Sequence, residues 1–558
     1  MILEHAPFCV LNSYIGVIIS TCILISLYLL SNRYRYGLHR IPGPLLASFT
    51  DLWRLVQVWK GRPELTQIEL HEQNGPIVRL GPNCISIADP DAIKTIYAHK
   101  RGYVKSDFYP VQQTVAKGQR LETLFSTTND AFHAKLRRAV GNAYAMSSLI
   151  QFEPLVDSTI TTFLAQLEQR FASRTDGDEG GVCDFGLWLQ YFAFDVIGEL
   201  TFSKRLGFVD KGMDVDGIIG DLERLLNYVA PVGQLPILDK IFVKNPLRLW
   251  ISKLGLTNTT TPVAAFARAR MAERSSETEE KSQAEGTKSR DFLSRFQEAH
   301  RKDPAFMTQQ RVLAVTVANM FAGSDTTAIT LRTIFYNLLL NPTLLQRLMN
   351  ELESNDIFSE TGLTTWSKVH DLPYLSAVIK EALRCHPAAG LSLERIVPPT
   401  GLAVCGHFIP GGTIVGCNAW VLHRNERVFG AQPELFRPER WIEATEEKKN
   451  EMNNLLFSFG AGTRSCIGKN ISLLEMYKVV PVLLHKFEVA ALARDQPVTM
   501  ANTTQHQDHM TAPRHPIHAH DTKSKTPPQT KKLSDTAGPY HTILVPRCVC
   551  THARALPE

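Results

Sequence analysis

The chain has 558 residues, of which 44% are hydrophobic and 21% charged. This composition excludes a disordered, collagen-like or coiled-coil protein as a description of the whole chain. The 60 Lys and Arg residues against 55 Asp and Glu give a net charge of +5, and no basic block or basic-aromatic stripe is present, so nucleic acid is set aside as a partner. The ten cysteines are mostly isolated, which excludes a disulfide framework.

The first predicted element is a membrane anchor over residues 9–30, preceded by a short lumenal segment at 1–8. These 22 residues carry no charge, and as a helix they would span about 33 Å, which matches a bilayer core of about 30 Å. A cleaved signal peptide is disfavoured because Glu4 precedes the apolar stretch and Arg33 and Arg35 follow it. The basic residues after the anchor favour a cytosolic location for the rest of the chain.

A basic, proline-rich hinge is predicted for residues 31–44, where Pro42 and Pro44 fix φ and prevent helix continuation. A globular catalytic domain follows over residues 45–495. Residues 75–82 and 84–87 are predicted as short strands around a Gly-Pro-Asn turn. Apolar residues at three-to-four spacing predict helices at 131–145, 152–172, 186–201, 216–229, 308–340, 373–385 and 466–487.

The predicted fold class is therefore mainly α with minor β sheets. Residues 273–290 are polar throughout, which favours a solvated loop between helices. Residues 496–558 are predicted to be a disordered tail, because this stretch is too poor in aromatic and aliphatic residues to bury a core of its own.

The residue that carries the chemistry is Cys466, in the Gly-rich segment FGAGTRSCIG at 459–468, directly before a helical pattern. The backbone N–H groups and the positive end of a helix stabilise a thiolate at its start. Glycines also let the backbone approach a flat ligand closely. From these features alone, a metal-binding thiolate and a structural cysteine remain about equally supported.

The segment 459–468 matches the pattern F-x-x-G-x-R-x-C-x-G and so resembles the haem-binding signature of the cytochrome P-450 haem-thiolate family. The resemblance covers about residues 41–490 and implies the cytochrome P-450 fold with a single transmembrane helix. It implies haem b as cofactor, with Cys466 as the axial iron ligand. Within the same segment, Phe459 and Gly468 would contact the haem and Arg464 would meet a propionate.

Further segments resemble the family in the same order along the chain. Glu381 and Arg384 match its E-x-x-R motif, in which opposite charges share one helix face, and Arg440 resembles the third member of that scaffold set. His133 and Arg137, one helical turn apart, match the helix that holds a haem propionate, although the family more often has Trp at the first position. Arg395 matches another propionate-binding arginine, whose planar fork suits a carboxylate.

In the predicted helix 308–340, the segment Ala322-Gly323-Ser324-Asp325-Thr326-Thr327 matches the family's oxygen-activation motif. A glycine in a helix costs about 1 kcal/mol relative to alanine, and Gly323 is expected to let a flat ring approach, with Ala322 on the same face as Thr326. The reduction of dioxygen needs protons. The resemblance implies that Asp325 relays them and that Thr326 holds the oxygen and a water.

The likeness narrows to fungal microsomal members of secondary metabolism, similar to the pisatin demethylase-like group, through the segment 192–203. It implies insertion of one atom of O2 into a small lipophilic substrate at the endoplasmic reticulum membrane. The implied electron donor is an NADPH-cytochrome reductase, since the chain has no dinucleotide fingerprint of its own. Lys135, Arg138 and Lys469 are candidates for docking that acidic partner.

Two alternative functions remain open at this stage. One is a haem-thiolate isomerase or dehydratase, which needs no reductase. The other is a non-catalytic haem-binding protein, suggested by the chain end. After Phe487 the family usually continues through a β-hairpin that lines the substrate pocket, and here residues 542–546 are the only late strand candidate. The hairpin is either divergent or replaced by an aberrant gene end.

Overall fold

The computed structural model describes residues 6–98, 102–116, 118–172, 182–256, 261–281, 291–491 and 542–546. The helices in the first half are α1 Ala6–Tyr34, α2 Leu52–Trp59, α3 Pro63–Asn74, α4 Pro90–Ile96, α5 Asp130–Val140, α6 Met146–Leu149, α7 Glu153–Leu167, α8 Phe185–Phe202, α9 Phe208–Lys211, α10 Ile218–Val232, α11 Ile237–Phe242, α12 Pro246–Lys253 and α13 Pro262–Lys281. Those in the second half are α14 Phe292–Lys302, α15 Gln309–Leu340, α16 Pro342–Ser354, α17 Trp366–Val369, α18 Pro373–Cys385, α19 Ala419–Leu422, α20 Glu426–Phe429, α21 Arg440–Glu443, α22 Glu446–Leu455 and α23 Lys469–Lys486.

The strands are short and form small sheets beside the helices. They are β1 Ile77–Gly81, β2 Cys84–Ile87, β3 Val104–Lys105, β4 Thr114–Ala116, β5 Gln119–Leu121, β6 Val182–Cys183, β7 Arg395–Ile396, β8 Leu402–Val404, β9 His407–Ile409, β10 Ile414–Gly416, β11 Phe487–Ala491 and β12 Thr542–Pro546. The largest sheet has the order β1-β2-β10-β7-β3. Its β3–β7 pair is antiparallel and places Lys105 directly opposite Arg395. The predicted mainly α architecture with minor sheets is confirmed.

The centre of the molecule is α15, which packs against α8, α13, α14, α18 and α23. The Thr308 side chain caps its start by accepting a hydrogen bond from the Arg311 N–H, at 3.3 Å. α15 and α1 are both long and apolar enough to cross a membrane, but 61% of the apolar window of α15 is buried and none of that of α1. α15 is therefore a core helix, whereas α1 offers its apolar surface to the surroundings.

The structure differs from the sequence-based boundaries in several places. The helices predicted at 131–145 and 152–172 end earlier, at Val140 and Leu167. α1 continues past residue 30 to Tyr34, into the segment predicted as a hinge. α13 extends to Lys281, so residues 273–281 are helical rather than a loop, and residues 282–290 lie outside the described part. Glu and Lys, which favour helices, supply much of that polar stretch. Within the predicted tail, 542–546 forms β12, while the remainder of the tail lies outside the described residues.

β12 pairs antiparallel with β11, with Phe487 opposite Pro546 and Ala491 opposite Thr542. It also pairs with β6, so it is the middle strand of a three-stranded sheet. The late strand candidate of the sequence is thus paired directly with the strand that follows α23.

Candidate active site

The loop that carries Cys466 is closed by its own backbone. The N–H of Cys466 donates to the carbonyl of Phe459 at 2.8 Å. Gly460 and Gly462 adopt positive φ values of 64° and 66°, which glycine tolerates without strain. A Cβ at Gly462 would lie 1.7 Å from the carbonyl oxygen of Tyr97, so this position excludes any larger residue. The loop is therefore held in one shape before α23 begins.

Part of the Cys466 side chain is exposed, but protein atoms surround and bury the rest of it. This burial raises the pKa of the thiol, while the backbone N–H groups of Gly468 and Lys469 and the charge of Arg137 act in the opposite direction. Arg137 is fixed beside the loop, since its Nη1 donates to the Ser465 carbonyl at 2.8 Å. The predicted helix-start environment of the sulfur is present.

Behind the loop lies the predicted scaffold set. Glu381 is fully buried and accepts hydrogen bonds from Arg384 Nε and Nη2 at 2.9 and 2.8 Å, and from Arg440 Nε at 2.9 Å. Trp441 Nε1 also donates to it, at 2.8 Å. Burial raises the pKa of Glu381, but the hydrogen bonds and charges of the two arginines outweigh it and hold the pKa below its usual range. Arg440 thus joins Glu381 and Arg384, as its resemblance to the third member of the set implied.

His423 links the scaffold set to the cysteine loop, and sequence reasoning missed it. The ring is fully buried. Its Nε2 accepts the Phe457 N–H at 2.8 Å, which leaves Nδ1 to donate to the Arg384 carbonyl at 2.9 Å. Burial lowers the pKa of His423 to about 3. The neutral ring therefore joins the backbone of α18 to the residues that enter the loop.

This neutral histidine makes stability depend on pH. The folded-state pKa lies below the unfolded value of about 6.5, so the contribution is complete above that value and is lost as the pH falls below it. We expect a loss of about 2 kcal/mol from this group between pH 7 and 5. Urea unfolding at both pH values should show a smaller pH dependence for His423→Gln than for the unsubstituted protein. An equal dependence in both would contradict the assignment.

Four predicted cofactor-binding residues, His133, Arg137, Arg395 and Arg464, lie in one electrostatic cluster. Burial and then the positive charges of Arg464, Lys105, Arg137 and Arg395 lower the pKa of His133 to about 3. Arg464 pairs with Asp130 at 2.5 Å, while Arg395 donates to the Tyr109 hydroxyl at 3.2 Å and to the Glu394 carbonyl at 2.8 Å. The cluster holds more positive than negative charge, so it fits an anionic ligand.

On the opposite side, α15 presents Ala322 and Thr326 one turn apart. Both are exposed although most of the surrounding helix is buried, so they border an internal space. The Thr326 hydroxyl donates to the Ala322 carbonyl at 2.8 Å. Asp325 is buried, and its Oδ1 accepts a hydrogen bond from Gln190 Nε2 at 3.1 Å. The next residue, Thr327, faces α23, and its hydroxyl lies 3.0 Å from the hydroxyl of Ser472. This hydrogen bond joins α15 to α23.

Gly323 lies against α8, a contact that the sequence did not predict. A Cβ there would meet Ile197 of α8, with side-chain carbons at 3.0 and 3.1 Å. The glycine thus permits close packing of α15 on α8, and the expected approach of a flat ring stays a prediction.

Asp325, Thr326 and Ala322 line a cavity of about 910 Å³. Its other walls come mainly from α10, the segment 108–126 and the loop 388–393, and they are mostly apolar. Such a volume is large enough for a small-molecule ligand.

Comparisons with known proteins decide the family. The family model described as Cytochrome P-450 matches residues 42–517. A cytochrome P-450 monooxygenase of Aspergillus terreus is 43% identical over 458 residues, which cover 82% of this chain and 91% of that protein. The cytochrome P-450 monooxygenase cicH of Emericella nidulans is 42% identical, with 82% of this chain and 89% of cicH covered. The chain belongs to the cytochrome P-450 family. It is an oxygen-dependent monooxygenase, and the similarity does not favour an isomerase, a dehydratase or a non-catalytic protein.

The cofactor of the family is haem b, whose iron is bound by a cysteine thiolate and supplies the activation of dioxygen. The residues of this cytochrome P-450 fit that group. Ala322, Thr326 and Cys466 offer exposed surface within an otherwise packed body. The cluster around His133 would offer cations to the two propionates of a haem.

Lys105 gives the strongest support for an anionic ligand at this cluster. No pattern in the sequence around Lys105 predicts such a role. Lys105 is only 5% exposed and lies opposite Arg395, which is 4% exposed. Like charges directly opposite on paired strands destabilise a sheet. Neither residue forms a salt bridge with any carboxylate in the described part of the chain, and Lys105 Nζ donates to the Phe125 carbonyl at 2.5 Å. Burial and the charges of Arg395 and Arg464 hold the pKa of Lys105 well below its usual range.

We expect Lys105→Met to affect the haem-bound protein more than the haem-free protein. The haem-free protein should change little in stability, because the substitution removes a buried cation together with its contacts to the Tyr109 and Phe125 rings. The loss of a hydrogen bond to a charged group should weaken haem binding by about 1.5–3 kcal/mol, or roughly tenfold or more. The rate of haem transfer to a scavenging apoprotein measures this effect, with Lys105→Arg as the control that keeps the charge. Equal transfer rates for all three proteins would contradict the assignment.

Proposed function

We propose that this cytochrome P-450 is an endoplasmic reticulum monooxygenase of fungal secondary metabolism, in which Cys466 is the iron ligand. The observation that carries the proposal is the rigid loop 459–468, which presents an exposed sulfur beside a buried excess of cations. The fungal origin of the relatives supports the setting. Arg137, Arg395 and Arg464, with His133 and Lys105, are proposed to hold the propionates, and Phe459 and Gly468 to frame the sulfur.

Proton delivery is proposed for Asp325 and Thr326. The Asp325 carboxylate borders the cavity and is anchored by Gln190, so it can pass a proton without leaving its place. The Thr326 hydroxyl binds its own helix through the Ala322 carbonyl. By rotating away from that carbonyl it can hold an oxygen atom and a water at the cavity wall. Neither residue acts as a nucleophile in this scheme.

The proposed electron donor is a membrane-bound NADPH-cytochrome reductase. Lys469, at the start of α23, and Arg138, next to Arg137, are exposed on the elements that hold the cysteine loop. Lys135 is also exposed but pairs with Asp303 at 2.9 Å. Exposed cations on this side would attract an acidic partner to the face nearest the sulfur.

The proposed location depends on α1. Its apolar surface is exposed, it lies near the N-terminus, and its last turn carries Arg33. A single span with the catalytic domain in the cytosol follows from that charge distribution. The mostly apolar cavity of about 910 Å³ supports a small lipophilic substrate of the kind that partitions into a membrane.

The test is expression of the full chain in yeast microsomes with an NADPH-cytochrome reductase. We expect a carbon monoxide difference band of thiolate type and oxygen consumption that requires NADPH. Mass spectrometry of metabolites after gene deletion in the source organism should then reveal an accumulated, less oxidised precursor. Product formation without reductase and NADPH would overturn the proposal in favour of an isomerase or dehydratase.

A further inference from the structure

The cavity is mostly apolar, but three charged side chains border it. They are Glu64, Arg268 and Asp325. Glu64 is only 1% exposed and pairs with Arg62 at 2.7 Å, and Asp325 is buried with Gln190 as its hydrogen-bond donor. Arg268 is exposed. Among the described residues that line the cavity, it is therefore the only charged one with a largely accessible side chain.

Arg268 lies on the side of α13 that forms the cavity wall. Ala264, Arg268 and Met271 all line the cavity, and their three-to-four spacing places them on one side of the helix. Val263 and Ala267 are fully buried on another side. The arginine thus stands between two other cavity residues, and its side chain leaves the helix on the cavity side.

Contacts with α8 show where α13 crosses the core helix α15. The rings of Phe266 and Phe202 lie 5.8 Å apart, and Arg274 Nη2 donates to the Phe202 carbonyl at 2.8 Å. α13 therefore meets the C-terminal end of α8. That end lies beside Asn319 of α15, whose Nδ2 donates to the Thr201 hydroxyl at 3.1 Å.

This crossing separates Arg268 from the oxygen side of the cavity. Asn319 and Thr326 are about 10 Å apart along α15 at a rise of 1.5 Å per residue. The part of α13 that carries Arg268 is level with Asn319, toward the start of α15. A ligand that touches both Arg268 and Thr326 must therefore be at least this long.

The wall that α15 contributes changes in polarity along the helix. It begins with Gln309 and Gln310 and continues with apolar side chains, namely Leu313, Ala314, Val317, Ala318 and Phe321. The proposed oxygen-side residues Asp325 and Thr326 follow. An amphipathic ligand fits this order, with its polar group near α13 and its apolar body against the middle of α15.

We propose that the substrate carries a carboxylate that Arg268 binds, and that an apolar body of about 10 Å separates this group from the carbon that is oxidised. A guanidinium has five N–H donors in a planar fork that matches both oxygens of a carboxylate. A single cation also matches the single charge of a carboxylate better than a phosphate dianion. The inference narrows the lipophilic substrate of the proposed function to an amphipathic acid, and it rests on the proposed role of Thr326 at the oxygen side.

The orientation of the bound acid has a consequence for the product. Because Arg268 holds the carboxylate on the α13 side, the carbons next to that group stay away from Thr326. The oxidised carbon lies at the opposite end of the apolar body, and the carboxylate itself is not altered by the reaction.

Equilibrium dialysis of the full-length holoprotein against radiolabelled decanoate tests the proposal, with decanol as the neutral probe of equal chain length. We expect Arg268→Gln to weaken decanoate binding about tenfold or more, because hydrogen bonds to a charged group are lost. Decanol binding should not change. Arg268→Lys should retain part of the affinity for decanoate, since it keeps the charge but not the planar fork.

Arg270→Gln is the control on the same helix. Arg270 pairs with Glu273 at 2.6 Å and does not belong to the described residues that line the cavity, so its substitution should leave decanoate binding unchanged. Equal affinities for decanoate in Arg268→Gln and Arg270→Gln would overturn the inference. Equal losses for decanoate and decanol in Arg268→Gln would also overturn it, because Arg268 would then shape the cavity without recognising charge.

The carbon monoxide difference band of the same preparations reports on the proposed function separately. If the thiolate-type band is present but decanoate binding does not depend on Arg268, only the carboxylate site is wrong. If the band is absent, the proposed role of Cys466 fails, whereas dialysis still decides whether Arg268 binds the carboxylate.

Discussion

Cys466→Ser is expected to abolish both turnover and the thiolate-type carbon monoxide difference band while the protein remains folded. Serine is similar in size, and the loop is held by backbone bonds such as that between Cys466 N–H and the Phe459 carbonyl. A hydroxyl does not donate electron density to iron as a thiolate does, and this donation favours cleavage of the O–O bond. Difference spectra and NADPH-dependent product formation in the same membranes measure the two effects.

Cys405→Ser provides the matched control for that experiment. Cys405 is partly buried in the turn between β8 and β9, and its sulfur contacts Asp89 at 3.8 Å. This substitution should leave the band and the turnover unchanged. If Cys466→Ser kept the same band and rate as the control, the assignment of the iron ligand would be wrong.

Glu381→Gln should prevent accumulation of folded holoprotein. The substitution leaves Arg384 and Arg440, both nearly fully buried, without the carboxylate that pairs with them. Uncompensated buried charge costs about 3–5 kcal/mol, which is a large part of the 5–15 kcal/mol that typically stabilises a domain. The yield of soluble haem protein and the urea concentration at half-unfolding measure the loss.

An exposed ion pair supplies the control for the buried one. Glu443 and Arg437 pair on the surface, where both side chains are about half exposed. Pairs of this kind contribute about 0–1 kcal/mol, so Glu443→Gln should unfold at nearly the same urea concentration as the unsubstituted protein. Comparable losses for the two substitutions would show that burial of Glu381 does not determine the effect.

Sequence motifs could predict those parts of the candidate site whose residues lie close together in the chain. The loop 459–468, the Glu381–Arg384 pair and the segment at 322–327 are each local, so their resemblance to the motifs of the family can be recognised from neighbouring residues. Lys105 could not be found in this way, since it meets Arg395 only through the pairing of β3 with β7, 290 residues apart in the chain. His423 could not be predicted for the same reason. Its two hydrogen-bond partners lie in α18 and in the segment before the cysteine loop.

The structure adds a contact to one local prediction and corrects another. The glycine in the oxygen-activation motif accommodates Ile197 of α8, a contact that no spacing rule within α15 reveals. The polar stretch after residue 273 continues a helix because its composition favours helix formation as much as solvation.

The position of β12 has a practical consequence for anyone who shortens the gene. The similarity to the family ends at residue 517, which invites truncation there. Such a cut would remove the central strand that joins β11 to β6 and would leave two unpaired edges in its place. A plasmid trimmed by homology would therefore be expected to yield aggregated material even though every motif residue is still encoded.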